Sequence, residues 1–252
     1  MNLLLWLLPP IVIFSWLFIE KYVLTRQFYL SQKDSAIFKL EILSVGVRLF
    51  FSLVVFFPLL GLLVPFNIFS FSSWDVHPVV NFFICFLLID FFHYVLHRLH
   101  HSIPLLWRFH RLHHSDKDVD VMTSWLHHPF EAISIYFLIT FMYVMFDIPL
   151  EFIYTYSIIF ILHVAFTHTK MYVPDHIDRW LRYFIVTPNA HRLHHSIDIK
   201  EGNSNFGQIF LFWDVLFNTH LKSNSYLINC GIECSQSPSN YCLKDFLYNP
   251  FK

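Results

Sequence analysis

Five apolar stretches alternate with polar, histidine-bearing segments: Leu3–Ile19, Leu49–Val64 with an onset near Ile37, Val79–Leu96, Ala132–Phe146 and Phe152–Phe166. A membrane-spanning helix needs about 20 apolar residues, about 17 at the short end. The first and third stretches meet that length and the last two are short. Asp147-Ile148-Pro149-Leu150-Glu151 reads as a turn, so the last two stretches predict a helical hairpin that either crosses fully or re-enters. Met1 to Ile19 carries no charge and lacks the basic start and small-residue cleavage site of a signal peptide, so it reads as a first span, interrupted at Pro9-Pro10. The expected fold is all-α: a polytopic membrane helical protein with a histidine-rich cap. Its expected organisation is an N-terminal transmembrane hairpin over 1–78, a histidine-bearing domain over 79–221 and a polar tail over 222–252.

Charge adds an orientation. Lys and Arg gather in Glu20–Glu41, in His97–Asp120 and after His168, whereas the connectors Pro65–Pro78 and Asp147–Glu151 have none. The positive-inside rule then puts the basic segments, and the histidines with them, on the cytoplasmic face. Arg48 falls outside these groups, at the start of the second span, where a long side chain snorkels back toward the interface. Trp107 and Trp125 read as interface markers. Composition agrees with this picture: 56% of residues are hydrophobic and 14% charged, with 31 Phe and 5 Gly, against about 25% charged in soluble domains. A net charge of -1 points to no nucleic-acid partner. Four cysteines are too few for a disulfide framework, and Cys230, Cys234 and Cys242 lack the CxxC spacing of zinc sites. They read as ordinary thiols in a reducing compartment.

The hexapeptide His-Arg-Leu-His-His-Ser occurs three times, at His97–Ser102, His110–Ser115 and His191–Ser196. Its histidines sit at i, i+3 and i+4, which share one side of a helix. Clustered histidine is the pattern that transition-metal sites leave in a sequence. His97 and His101, then His110, His113 and His114, then His191, His194 and His195 are the candidate ligands, joined by His168 at the end of the last apolar stretch. His100, His128 and His163 are further candidates. His100 is as readily a bystander, and His128 reads first as a group behind a ligand or a helix-start residue beside Glu131, and only then as a ligand. His77, His176 and His220 are isolated. Asp90 lies two turns deeper than His97 and is placed to accept a ring N–H from His97 or His93. So many imidazoles exceed what one ion uses, since a structural zinc takes four ligands; two neighbouring ions are the natural inference. All-nitrogen ligation suits Fe, Zn, Cu or Ni. H-E-x-x-H, G-x-S-x-G, the P-loop and G-x-G-x-x-G are absent.

These residues carry a resemblance. Asp90–His101 and Trp107-Arg108-Phe109-His110-Arg111-Leu112-His113-His114-Ser115 closely resemble the fatty acid hydroxylase / sterol desaturase superfamily. So do His128-Pro129-Phe130-Glu131, Phe166-Thr167-His168-Thr169, Thr187–Ser196, Asn205-Phe206-Gly207 and Trp213–Thr219. The likeness runs from about Asp90 to His220 and makes 79–221 the catalytic domain. Two departures stand out: Phe206 where the family usually has Tyr, and Asn218 where it usually has Gly. The resemblance implies an integral-membrane, non-haem di-iron enzyme that uses O2 to hydroxylate or desaturate a C–H bond of a membrane lipid such as a fatty acyl chain or sterol. It implies two iron ions held by the nine histidines above, with Asp90, Glu131, Asn205 and Asp214 behind them. It also implies a separate reductase or electron carrier, because the chain has no flavin or dinucleotide motif. From the residues themselves, a membrane zinc-dependent lipid hydrolase and a metal transporter or storage protein remain alternatives.

Overall fold

The computed structural model describes residues 3–25, 30–56, 58, 62, 67–222, 228–232 and 241–251. Its long helices are α1 (Leu3–Thr25), α2 (Gln32–Phe51), α3 (Pro78–Ser102), α4 (Pro104–His114), α5 (Pro129–Phe146) and α6 (Leu150–Thr167). Shorter ones follow: α7 (Asp175–Leu181), α8 (Pro188–His194), α9 (Ile199–Gly202), α10 (Phe212–Leu216) and α11 (Leu243–Tyr248). Among the described residues the one β feature is an isolated bridge between Ser196 and Cys230. Of the described helices, α3, α5 and α6 are long and apolar enough to cross a membrane. Large apolar side chains such as Phe83 and Phe137 point outward from them, as a lipid environment allows.

Local chemistry sets the helix boundaries. α1 runs through Pro9-Pro10 without the expected break; the prolines remove two N–H donors, and the flanking turns carry the helix. α2 begins well before the apolar pattern does. A capping box starts it, in which the Ser31 hydroxyl accepts from the Asp34 N–H (3.1 Å) and the Asp34 carboxylate accepts from the Ser31 N–H (2.7 Å). Most of the second apolar stretch beyond Phe56, and much of the tail including Cys234, lies outside the described residues.

The turn between α5 and α6 forms where the sequence placed it, with Asp147 in the left-handed region (φ 44). Ser70 donates to the Asp147 carboxylate at 2.6 Å, and the Phe71 N–H donates to the Phe146 carbonyl at 3.0 Å, strapping that end of the molecule. The two helices do not pack along one another as a tight hairpin would. α5 lies against α2 and α3, and α6 against α1 and α3. The residues between them therefore border open space. Below the histidine end, Ile13 and Leu17 of α1, Leu40 of α2, Leu112 of α4 and Ala165 of α6 share one core with Met122. Trp125 belongs to that core, buried with its ring centroid 5.9 Å from that of Phe14, so it is no interface marker. The loop between α4 and α5 is tied to α2 by buried Lys33, which reaches Asp116 at 2.7 Å and Asp120 at 3.0 Å.

Candidate metal centre

Each hexapeptide closes a helix that opens on proline: Pro78 for α3, Pro104 for α4 and Pro188 for α8. Proline suits a first helical position because the N–H it lacks has no partner there. The three helix ends converge, together with His168 at the C-cap of α6. Helical geometry then sorts the histidines. With about 100° per residue, positions i and i+4 lie about 40° apart, while i+3 falls about 100° from i+4, on the other flank. In the second copy His110 and His114 join one cluster and His113 the next; in the third, His191 and His195 join one and His194 the other. The result is a group of His97, His101, His110, His114 and His194 beside a group of His113, His168, His191 and His195, the ligand-capable atoms of each lying within 4.8 Å of one another. The two groups adjoin, the His114 and His195 ring centroids being 4.5 Å apart. All nine candidate histidines are thus brought together.

The first copy supplies two members to these clusters, and His100 bonds Ser134 Oγ through Nε2 (2.9 Å). With His110 and Glu131 it also forms a third, smaller group whose ligand-capable atoms lie within 4.8 Å of one another. His128 is the cap of α5, its Nδ1 accepting from the Phe130 N–H at 3.2 Å, and it stands outside both clusters. His163 is also outside them, with Nε2 buried and without a hydrogen-bond partner among the described residues.

Within the clusters Nε2 faces Nε2: His97 to His194 at 3.0 Å, His101 to His114 at 3.1 Å, His168 to His191 at 3.0 Å and His168 to His113 at 3.2 Å. The outward nitrogens decide what these contacts are. His97 Nδ1 lies 2.9 Å from the Phe206 carbonyl, His194 Nδ1 2.8 Å from the Ser204 carbonyl, and His168 Nδ1 2.8 Å from the Val164 carbonyl. A carbonyl only accepts, so each Nδ1 carries the proton and each Nε2 presents a lone pair. Burial first, then the neighbouring imidazoles, hold His113, His114, His191, His194 and His195 well below the ordinary imidazole value. Burial takes His168 down to about 3. These rings are neutral, and between His97 and His194, whose outward nitrogens both meet carbonyls, two lone pairs face each other 3.0 Å apart with no proton between them and repel. A cation between them turns that repulsion into ligation. Two nitrogens bound side by side to one ion at about 2.1 Å lie about 3.0 Å apart, so the donor set fits a transition metal.

The groups behind the rings are partly those expected. Glu131 accepts from His110 Nδ1 at 2.7 Å, as a carboxylate behind a ligand should. Its same oxygen lies 2.8 Å from Nδ1 of His127, whose ring stacks on His113 (4.5 Å, 10°). His127, and not its neighbour His128, is thus the residue that joins Glu131 here, and its i, i+4 spacing to Glu131 is the signal of this in the sequence. Asp90 touches no histidine in the clusters. It accepts from Tyr156 Oη (3.1 Å), Trp213 Nε1 (2.9 Å) and the Ile209 N–H (3.2 Å), and so pins the 206–213 loop to α3. Asp214 accepts from the Phe206 and Gly207 N–H groups, each at 2.7 Å, and thereby fixes the Phe206 carbonyl that holds His97. Asn205 ties α8 to the segment after α10, through the Ala190 and Leu221 carbonyls. Both act one step further back than expected. Gly207 is required in this loop, since a Cβ would meet the Phe210 carbonyl oxygen at 2.6 Å. Asn218 is left-handed (φ 56), a conformation that asparagine tolerates where glycine is usual. Trp107 packs on the His101 ring at 5.0 Å.

A cavity of about 440 Å³ opens from the clusters between the splayed α5 and α6. His97, His113 and His168 line one end, and Ile135, Ile139 and Phe160 are among its apolar walls. It joins the histidines to the apolar body of the protein.

The fatty acid hydroxylase family profile matches residues 82–219. The chain is 30% identical over 155 residues to an alkylglycerol monooxygenase of Xenopus tropicalis, covering 59% of this chain and 32% of that protein. It is 28% identical over 169 residues to a fatty acid hydroxylase of Lecanicillium sp, covering 62% and 46%. To an ornithine lipid hydroxylase of Rhizobium tropici it is 31% identical over 126 residues, covering 50% and 37%. The chain thus spans between a third and a half of the length of these relatives. No solved structure matches.

Proposed function

This chain belongs to the fatty acid hydroxylase family, and from that premise we propose that it is an O2-dependent hydroxylase of a lipid C–H bond, carrying two iron ions in its histidine clusters. The observation that carries the reading is the gathering of nine buried or half-buried imidazoles in two adjoining groups, with Nε2 atoms facing one another about 3 Å apart, at the head of an apolar cavity. His97, His101, His110, His114 and His194 would hold one ion, and His113, His168, His191 and His195 the other. Iron, when bound, supplies the O2 and one-electron chemistry that side chains lack. The choice of iron over zinc or copper rests on the family, since imidazole suits them all.

The protein's own work is binding, orientation and exclusion of water. The Phe206, Ser204 and Val164 carbonyls fix the tautomer of His97, His194 and His168. Glu131 holds His110 and adds negative charge behind an otherwise neutral ligand set. The cavity walls present Ile135, Ile139 and Phe160 to an alkyl chain entering between α5 and α6. The three apolar helices support an integral, multi-pass membrane protein, and the Lys and Arg distribution supports a cytoplasmic cap. Electrons come from a separate reductase or carrier. Hydroxylation is favoured over desaturation because the three relatives described above are named as hydroxylases or monooxygenases.

The test is turnover under isotopically labelled O2. Iron-loaded protein with a reductase system and a lipid panel should give a product carrying one labelled oxygen atom. Loss of two hydrogens with no label would indicate desaturation, and unlabelled cleavage products a hydrolase.

A further inference from the structure

The cavity lining holds a charged pair besides the histidines and Glu131. Glu41 and Arg48 of α2 both line it, and Arg48 Nη2 donates to Glu41 Oε1 at 2.5 Å. Seven residues apart, they sit on one face of the helix about 10 Å apart along its axis. Arg48 reaches back toward the histidine end, the direction expected of a snorkelling side chain. The two side chains are 23% and 19% exposed, so the pair is neither sealed in the core nor open to bulk solvent. Among the described residues each side chain makes this one hydrogen bond. Further guanidinium N–H donors and the second carboxylate oxygen remain on two side chains that line the cavity. The remaining charged residue of the lining, Glu131, is committed to His110 and His127.

We propose that Glu41 and Arg48 receive the headgroup of the lipid and select a neutral, hydroxyl-bearing lipid over an anionic one. The proposal rests on the reading of this cavity as the lipid site. An ion pair is electrically neutral and offers donors and an acceptor side by side. A hydroxyl or diol matches it, donating to Glu41 and accepting from Arg48, with no net charge added. A carboxylate or phosphate must face Glu41 and brings an uncompensated charge into an apolar cavity, which is costly. A structural role alone, locking two turns of α2, would leave lipid preference untouched.

Equilibrium binding of two chain-matched probes, hexadecyl glycerol ether and hexadecanoate, to full-length protein in nanodiscs tests this without turnover. Iron content serves as the check on folding. Wild type should hold the ether at least about tenfold more tightly than the acid. Arg48→Met should weaken ether binding about tenfold to a hundredfold, the loss of a charge-assisted hydrogen bond, with iron content unchanged. Glu41→Gln leaves a lone cation and should shift preference toward hexadecanoate; it decides the matter if Arg48→Met fails to fold. Preference for the acid in wild type, or unchanged preference in Glu41→Gln, overturns the proposal. Binding discrimination without labelled product would sink the hydroxylase reading and leave this one standing, while turnover without discrimination does the reverse.

Discussion

The five-histidine and four-histidine clusters are built from the same hexapeptide and are held in different ways. In the first, His97, His101, His110 and His194 each have Nδ1 tied to a protein oxygen: the Phe206 carbonyl, Asn203 Oδ1, Glu131 and the Ser204 carbonyl. In the second, His168 is tied to the Val164 carbonyl, whereas Nδ1 of His113 and of His195 is buried with no hydrogen-bond partner among the described residues. One cluster is shaped by its surroundings before any ion arrives. The other leaves more of the ordering to the ion. Buried, unpaired ring nitrogens are a cost, and ligation at the opposite nitrogen is what offsets it.

That contrast can be broken in steps. The largest effect belongs to the histidines that cross between clusters: His194→Ala and His113→Ala should each abolish turnover, and iron analysis should show the loss of at least one ion. Retention of full iron and activity by both would remove the site assignment. Next comes Glu131→Gln, where weakening the carboxylate behind His110 should cost about tenfold to a hundredfold in metal affinity or turnover, read by metal titration. Gly207→Ala forces a Cβ against a backbone oxygen and should destabilise the loop by about 1–3 kcal/mol, seen as a lower Tm. Its influence on iron should fall on the five-histidine cluster, which that loop supports. Mild chelation should empty the four-histidine cluster first, leaving a one-iron species visible by spectroscopy. Smallest of all, His100→Ala should keep both ions, since its Nε2 bonds Ser134 and it belongs to neither of the two larger clusters.

The same contrast explains what the sequence made legible. Apolar runs located α3, α5 and α6, because a helix in an apolar setting shows little but length and composition. The triple hexapeptide located the nine clustered histidines, because metal ligation demands side chains at helical spacing whatever the rest of the chain does. Partners contributed by the backbone leave no such trace. The Phe206, Ser204 and Val164 carbonyls could come from any residue type, so the tautomer-fixing contacts were invisible. His127 was missed in favour of His128 because one position separates a ring stacked on His113 from a helix cap. Asp90 was placed behind the wrong group, since helical phase gave its face but not the 206–213 loop that closes over it. The splaying of α5 from α6 depends on α1 and α2 packing beside them, a long-range fact that no local pattern carries.

The count of iron per chain tests the central claim most directly. Protein purified without chelators from iron-replete cells should contain two iron ions per polypeptide by elemental analysis, and neither should survive in the His113→Ala/His194→Ala double variant. One ion per chain, or stoichiometric zinc in place of iron, would contradict the account.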